Sequence, residues 1–196
     1  MNAALDSHAL DQLFLAARTH STWLDAPVSD ALLRQLYQLM RMAPTSANCA
    51  PARLVFLRSV TARERLRAAL SPGNVTKTMS APVTVIIASD QRFYENMPKL
   101  FPHRDMRAMF ADDAALAAAT AQRNGTLQGA YLMLAARALG LDCGPMSGFD
   151  QQAVDREFFP RQPIESNFLC NLGYGDSSAL FPRLPRLDFD EACTML

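Results

Sequence analysis

The side chains able to do chemistry are spread along this chain rather than gathered into one signature. Four cysteines stand at positions 49, 143, 170 and 193, and three histidines at 8, 20 and 103. No two cysteines have C-x-x-C spacing and no His/Cys set has the spacing of metal ligands, so no metal site is expected. The thiols read as reduced and as small buried hydrophobes. Gly173-Tyr174-Gly175 is a G-x-G that lacks the third glycine of a dinucleotide loop, and neither a phosphate-binding P-loop nor a G-x-S-x-G elbow occurs. No Ser-His-Asp set can be assembled from spacing. What remains is a series of short polar runs. They are Arg18-Thr19-His20-Ser21, the proline-bounded Pro44-Thr45-Ser46-Ala47-Asn48-Cys49-Ala50-Pro51, Asn74-Val75-Thr76-Lys77, Pro145-Met146-Ser147-Gly148, and Arg183-Leu184-Pro185. On a helix, Asn74 and Lys77 would share a face. By residue chemistry alone these runs describe a soluble α/β domain with several polar loops and no particular reaction.

The elements that must position these runs follow from patterning. The 196 residues suffice for one domain with a substantial core, here taken as residues 1–196. Nearly half the residues are hydrophobic, and Lys+Arg balances Asp+Glu at 19 each. A zero formal charge points away from nucleic acid, and no basic run suggests a membrane surface. The start, Met1 to Asp6, lacks a secretory leader pattern, and the most apolar windows are too short to span a bilayer, so a cytoplasmic protein is expected. Leu5 to Ala17 reads as a first helix. Ser29 caps a second, Asp30 to Met42, with Leu32, Leu33, Leu36, Leu39 and Met40 as its apolar stripe. Leu54 to Leu57 reads as a strand. Thr61 would cap a helix to Leu70, with Glu64 in a capping box. Pro72-Gly73 reads as a turn before a short helix, Asn74 to Ser80. Val83 to Ala88 is the clearest strand. An irregular stretch, 91–110, precedes a long Ala-rich helix from Asp112 to Leu139, whose half from Leu127 onward should be buried and whose C-cap is Gly140. Strands Asp142 to Met146 and Phe168 to Tyr174 bracket a helix from Gln151 to Phe159, for which Asp150 can serve as N-cap after a turn at Gly148, and Asp188 opens a last short helix. Helices first and strands later favour a layered α+β or α/β domain with a sheet of four or five strands.

Taken in order, five of these segments resemble the nitroreductase family of FMN enzymes. They are Arg18 to Ser21, Pro44 to Pro51 (similar to P-[ST]-[SG]-x-N-x-x-P), Asn74 to Lys77, Gly140 to Asp150 (similar to G-L-[DG]-x-x-P-x-x-G-F-D), and Gly173 to Gly175 with Arg183 behind it. The runs Pro44 to Pro51, Pro145 to Asp150, and Ser166 to Phe168 with Gly173 to Ser178 look similar to the malonic semialdehyde reductase, or 3-hydroxypropionate dehydrogenase, branch. The resemblance implies an α+β fold with a mostly antiparallel or mixed sheet of four to five strands flanked by helices, in an intertwined homodimer. It implies FMN as cofactor, NADH or NADPH as co-substrate and a small organic acceptor, with no nucleic acid or membrane partner.

For individual residues the resemblance implies the following roles. Arg18 and Arg183 hold the FMN phosphate, a task the planar guanidinium suits because it can bond two oxygens at once. His20, where the family usually has Ser, adds a hydrogen bond. Asn74 and Lys77 meet the pyrimidine edge of the ring, where a cation stabilises the charge of the reduced state. Ser147 and Gly148 support N5 through a backbone N–H, although many members carry Glu at the position of Ser147. Thr45, Ser46 and Asn48 reach the flavin of the opposite subunit. Phe181 stands where some members have a Lys. No side-chain nucleophile or general base is obligatory. For an aldehyde acid, Lys99, Arg104 and Arg107 are candidates to bind the carboxylate. Phe93, Tyr94, Phe101 and Phe110 either cover the flavin or belong to the core. Expected activities are reduction of malonic semialdehyde to 3-hydroxypropionate, a broader nitro, quinone or flavin reductase, non-catalytic FMN storage, or flavin degradation.

Overall fold

A computed structural model describes residues 3–196, so Met1 and Asn2 of the N-terminal reading lie outside the described residues. The organising element is strand β2, Val83–Asp90, a β-branched run buried on both faces. It sits second in a four-stranded sheet with β1 (Ala52–Leu57), β3 (Asp142–Met146) and β4 (Ile164–Gly173), in the order β1-β2-β4-β3. All three pairings are antiparallel, with Val55 opposite Ile86, Val85 opposite Cys170, and Pro145 opposite the same Cys170. Asn167 is the extra residue of a bulge between Ile87 and Ala88, and its amide donates to Thr126 Oγ1 at 2.8 Å.

Alternation along β2 divides the core between two faces. Val83, Val85 and Ile87 pack with Leu33, Leu36 and Met40 of helix α2 (Asp30–Met40) and with Leu132 and Ala136 of the long central helix. Ile86 and Ala88 face Leu66, Val154 and Phe159 on the other side. Those residues belong to, or just follow, α3 (Val60–Arg67) and α8 (Gln151–Phe158), with α4 (Pro72–Met79) beside α3. The fold is therefore α+β, a fully antiparallel sheet between helices. Between β2 and the central helix lie two short helices, α5 (Met97–Leu100) and α6 (Arg107–Ala111).

The central helix α7, Ala114–Ala138, presses directly on the sheet. A Cβ on Gly129 would stand 2.5 Å from Phe168 Cζ, so glycine is what allows the approach. Its burial differs from the expected pattern. The buried stripe runs the whole length of the helix, through polar Thr120 and Asn124 of the first half and through Gln128, Leu132, Ala135 and Ala136 of the half expected to be buried, while Leu127 and Tyr131 of that apolar half are exposed. The stripe follows the helical period, not the hydrophobic run. The helix begins at Ala114, two residues later than expected, capped by Asp113, and Gly140 follows its end with φ +77°.

Other boundaries are corrected in the same way. The first helix is short, α1 at Ser7–Leu10 capped by Asp6, and opens into a π-turn at Asp11–Leu15. Ser59, not Thr61, caps α3 by accepting from the Ala62 amide at 3.0 Å; Glu64 then lies beyond the box position and pairs with Arg67 instead. Pro72 starts α4 as its first residue rather than forming a turn, because the amide it lacks would have had no helical partner there. β1 and β4 each begin earlier than expected, at Ala52 and Ile164. Ser29 and Asp150 cap as read, and Asp188 forms a capping box with Glu191 at α9, Phe189–Ala192.

Candidate functional site

Two backbone zippers and one side-chain clasp bring the polar runs to the outer edge of β3. In the first, the chain after the π-turn lies along β3 and the end of β4. The His20 amide donates to Cys143 O (3.0 Å), Leu24 N to Tyr174 O (2.8 Å), and Asp176 N to Thr22 O (3.0 Å). In the second, the C-terminal segment crosses residues 15–18. Arg18 donates to Phe181 O, and Arg183 donates to Leu15 O (2.7 Å) and Ala17 O (3.1 Å). The half-buried Arg18 and the exposed Arg183 are thus brought together, although they stand 165 positions apart in sequence (183 − 18). In the third, residues 69–71 pair with 148–150. Asp150 N donates to Ala69 O (2.7 Å) and Ser71 N to Gly148 O (3.0 Å).

This last zipper fixes Asn74. Its side-chain amide donates to Gly148 O at 2.7 Å, and a Cβ on Gly148 would stand 2.7 Å from that same nitrogen. Glycine is required at 148 because Asn74 occupies the space. Lys77 follows one turn later on α4. Its carbonyl accepts from Trp23 Nε1 and from Asn171 Nδ2, both at 3.1 Å, which locks the helix against β4. Its half-buried side chain has no carboxylate partner among the described residues. Arg18, Arg183, Lys77, Asn74, Ser147 and Gly148 therefore follow β3 from one end to the other. At about 3.3 Å per residue the strand spans roughly 15 Å. A ligand with an anionic end and a flat hydrogen-bonding end matches that row. Beside Ser147 a groove of about 360 Å³ runs between Pro145, Met146 and Phe168 on one side and Thr126, Ala130 and Met133 of α7 on the other.

His20 is placed differently. Its ring is 4% exposed, with Nε2 3.3 Å from Asp142 Oδ1 and Nδ1 buried without a partner. Asp142 Oδ2 accepts from the Gly175 amide at 2.9 Å, and a Cβ on Gly175 would collide with the His20 ring. The histidine is walled in under the Gly173–Gly175 turn, where it positions the segment carrying Arg18.

Thr45, Ser46 and Asn48 are not brought to this row. Their loop hangs from α7 and α5. Ser46 N donates to Asn124 Oδ1 (2.8 Å), Ala50 N to Thr45 Oγ1 (3.2 Å), and Asn48 Nδ2 to Leu100 O (2.8 Å). Ala47, Asn48 and Ala50 all have left-handed backbones, φ 48°, 53° and 39°. For alanine that conformation costs about 1–3 kcal/mol, and such strain persists where the surroundings over-determine it. Cys49, buried among Phe93, Met97 and Phe110, is the loop's anchor, and burial pushes its thiol up to about 11. Phe93 and Phe110 are core, edge to face at 4.9 Å, while Tyr94 and Phe101 are half-buried against them. Cys143 and Cys170 are buried too. The interaction of its S–H with the Cys143 sulfur, then burial, raises the Cys170 thiol. Cys193, by contrast, is exposed and not the buried hydrophobe expected.

Of the three candidate cations, Arg107 is engaged, with Nε 2.7 Å from Glu95, which Arg92 also binds. Lys99 and Arg104 are exposed and form no ion pair among the described residues. Among the described residues no three His, Cys, Asp or Glu side chains gather as metal ligands, and no helix is long and apolar enough to cross a membrane. Residues missed by sequence reasoning are Asn124 and Gln128, which hold the amides of Ser46 and Ala52, and Asp142, Trp23 and Ser71. The one available signal was the four-residue spacing of Thr120, Asn124 and Gln128 in a helix otherwise rich in alanine.

Comparison with known proteins agrees with this geometry. The model of the nitroreductase family matches residues 15–174. A candidate nitroreductase from Bacillus subtilis is 20% identical, with a TM-score of 0.84 over 97% of this chain and 100% of that one. A candidate nitroreductase from Exiguobacterium sibiricum, solved in complex with FMN, is 17% identical, with a TM-score of 0.83 over 100% of this chain and 99% of that one. A candidate NAD(P)H:FMN oxidoreductase from Staphylococcus epidermidis is also 17% identical, with a TM-score of 0.83 over 100% of both chains. Since the family model spans most of the chain and every segment of the row up to Tyr174, this protein belongs to the nitroreductase family.

Proposed function

We propose that this protein is an FMN-dependent NAD(P)H oxidoreductase that reduces a small carboxylate-bearing aldehyde, malonic semialdehyde to 3-hydroxypropionate. The observation carrying the flavin assignment is the Asn74–Gly148 contact with Lys77 one turn away, set at the far end of β3 from the paired Arg18 and Arg183. The residues fit FMN. Gly148 seats the Asn74 amide that would meet the ring edge, Lys77 brings a cation with no carboxylate partner among the described residues, and two guanidinia suit a dianionic phosphate. When bound, FMN supplies hydride transfer through N5. The protein's part is to bind and orient. Arg18 and Arg183 grip the phosphate, Asn74 and Lys77 meet the pyrimidine edge, and Ser147 and Gly148 offer backbone amides near N5. His20 acts as a positioning residue beneath the Gly175 turn. Thr45, Ser46 and Asn48 serve the site of a second protomer in a homodimer, because in their own chain they hang from α7 and α5 rather than from the β3 row.

The acceptor reading draws on the unpaired Lys99 and Arg104. Lys99 lies in the helix whose last carbonyl, at Leu100, holds Asn48. A cation tethered to that loop suits an anionic acceptor. The test is reconstitution with FMN, anaerobic bleaching by NADH or NADPH, and steady-state turnover with malonic semialdehyde beside a nitroaromatic and a quinone. Preference for the aldehyde acid, weakened when Lys99 and Arg104 are replaced by Ala, is expected. A better kcat/KM for the neutral acceptors would replace that substrate with a broad reductase. Tight FMN that never bleaches would make this a storage protein.

A further inference from the structure

Away from the β3 row, a cleft of about 390 Å³ opens between the loop after Trp23, the end of β1 and the segment joining α4 to β2. None of Arg18, Asn74, Lys77, Gly148 or Arg183 lines it. Arg63 does, and it is 9% exposed. Its Nη1 donates to Arg58 O (2.8 Å) and Pro82 O (3.2 Å), while its Nε is buried with no partner among the described residues. No carboxylate pairs with Arg63 among the described residues. A buried guanidinium is rarely left without an anion, because the uncompensated charge is costly to desolvate. Burial also draws its affinity for the proton down, although arginine remains charged.

The remaining lining supplies what an anion needs and limits its size. Arg58 brings a second guanidinium at the rim, with one end on Val28 O (2.8 Å) and the other on Asp30. That Asp30 pair is solvent-exposed, so it competes weakly. Ser80 contributes a hydroxyl whose only bond is a long one to Lys77 O (3.4 Å). Asp25 also lines the cleft, as an exposed carboxylate opposing the two arginines.

We propose that this cleft is a binding site for a small oxyanion, carboxylate or phosphate, seated on Arg63 and closed by Arg58 and Ser80. The chain's single tryptophan, Trp23, lines the same cleft, so its one indole N–H resonance senses occupancy, and saturation with FMN holds constant the Lys77 carbonyl to which that N–H donates. The experiment titrates FMN-saturated protein with inorganic phosphate, and separately with succinate, at constant ionic strength. Sodium chloride is the control, and the series is repeated with the Arg18→Ala variant. A saturable shift of the indole resonance is expected with an oxyanion and not with chloride, unchanged by Arg18→Ala. The arm that saturates at lower concentration assigns the class. Ser80→Asp, at an exposed position, should weaken binding at least about tenfold, and Asp25→Asn should tighten it severalfold. Arg63→Gln should abolish it. Because that variant also removes the two carbonyl staples of Arg63, the rim variants decide. An indole resonance that neither anion moves, or equal affinity in wild type, Ser80→Asp and Asp25→Asn, overturns the site.

Discussion

Arg18 and Arg183 each spend one nitrogen on the other's chain segment, which leaves most of their five N–H donors without a protein partner among the described residues. Charge-assisted bonds to phosphate are worth roughly 1.5–3 kcal/mol each, so Arg18→Ala or Arg183→Ala should raise the FMN dissociation constant about tenfold or more. A fluorescence titration checks this, and unchanged affinity would take that arginine out of the site. Lys77 makes a separate prediction. Its backbone carbonyl, not its amine, holds α4 in place, so Lys77→Met keeps the fold and removes only the charge. The rate at which NADPH bleaches bound FMN should fall about tenfold while FMN affinity changes little. Stopped-flow traces matching wild type would deny the cation an electrostatic role.

Elements, rather than single side chains, decide where these residues stand. The Gly175 turn rests on the ring of His20, which is buried and cannot swing away, so Gly175→Ala should lower stability by about 1–3 kcal/mol, read as a drop in thermal midpoint. A midpoint equal to wild type would mean that the turn lifts freely. Loop 45–51 packs on α5 and α6, and Glu95, in the 3-10 turn Phe93–Asn96 just ahead of α5, ties that turn to α6 by accepting from Arg107 while also accepting from Arg92. Those guanidinia, Arg107 first, hold its carboxyl at about 2, below the ordinary 4.5. A depressed carboxylate contributes stability that is complete above the unfolded value and is lost as pH falls through the folded one. The difference in thermal midpoint between wild type and Glu95→Gln should be constant above pH 4.5 and close between 4.5 and about 2. A gap independent of pH would refute it. Much of this scale was legible beforehand: the caps at Ser29 and Asp150, the stop at Gly140 and the apolar strand β2 all follow local rules. The misread features depend on partners distant in sequence. Ser59 outcompetes Thr61 because the last residue of β1 is Leu57, which leaves only Arg58 between strand and cap. Polar Asn124 and Gln128 are buried because they satisfy amides of loop 45–52. His20 reads as a ligand by position but lies under Gly175, a contact no spacing announces.

At the scale of the whole molecule, the site residues fall into two sets carried by different parts of one chain. Arg18, Asn74, Lys77, Gly148 and Arg183 follow β3. Thr45, Ser46 and Asn48 hang from α7 and α5 in a strained loop, and no hydrogen bond joins the sets. Exposed Leu127 and Tyr131 on α7, and Phe181, Leu184 and Leu187 in the C-terminal segment, leave apolar surface for a second copy to cover. If two protomers related by a twofold exchange these sets, each site takes Arg18 from one chain and Asn48 from the other. Arg18→Ala and Asn48→Ala homodimers should then each have two impaired sites. In a mixture unfolded and refolded together at equal concentration, half the dimers are hybrids, and each hybrid joins the two intact sets in one of its two sites. About a quarter of all sites should regain wild-type FMN affinity and turnover, although neither parent has any. A site closed within one chain gives no such recovery at any mixing ratio, because every chain in the mixture carries one lesion.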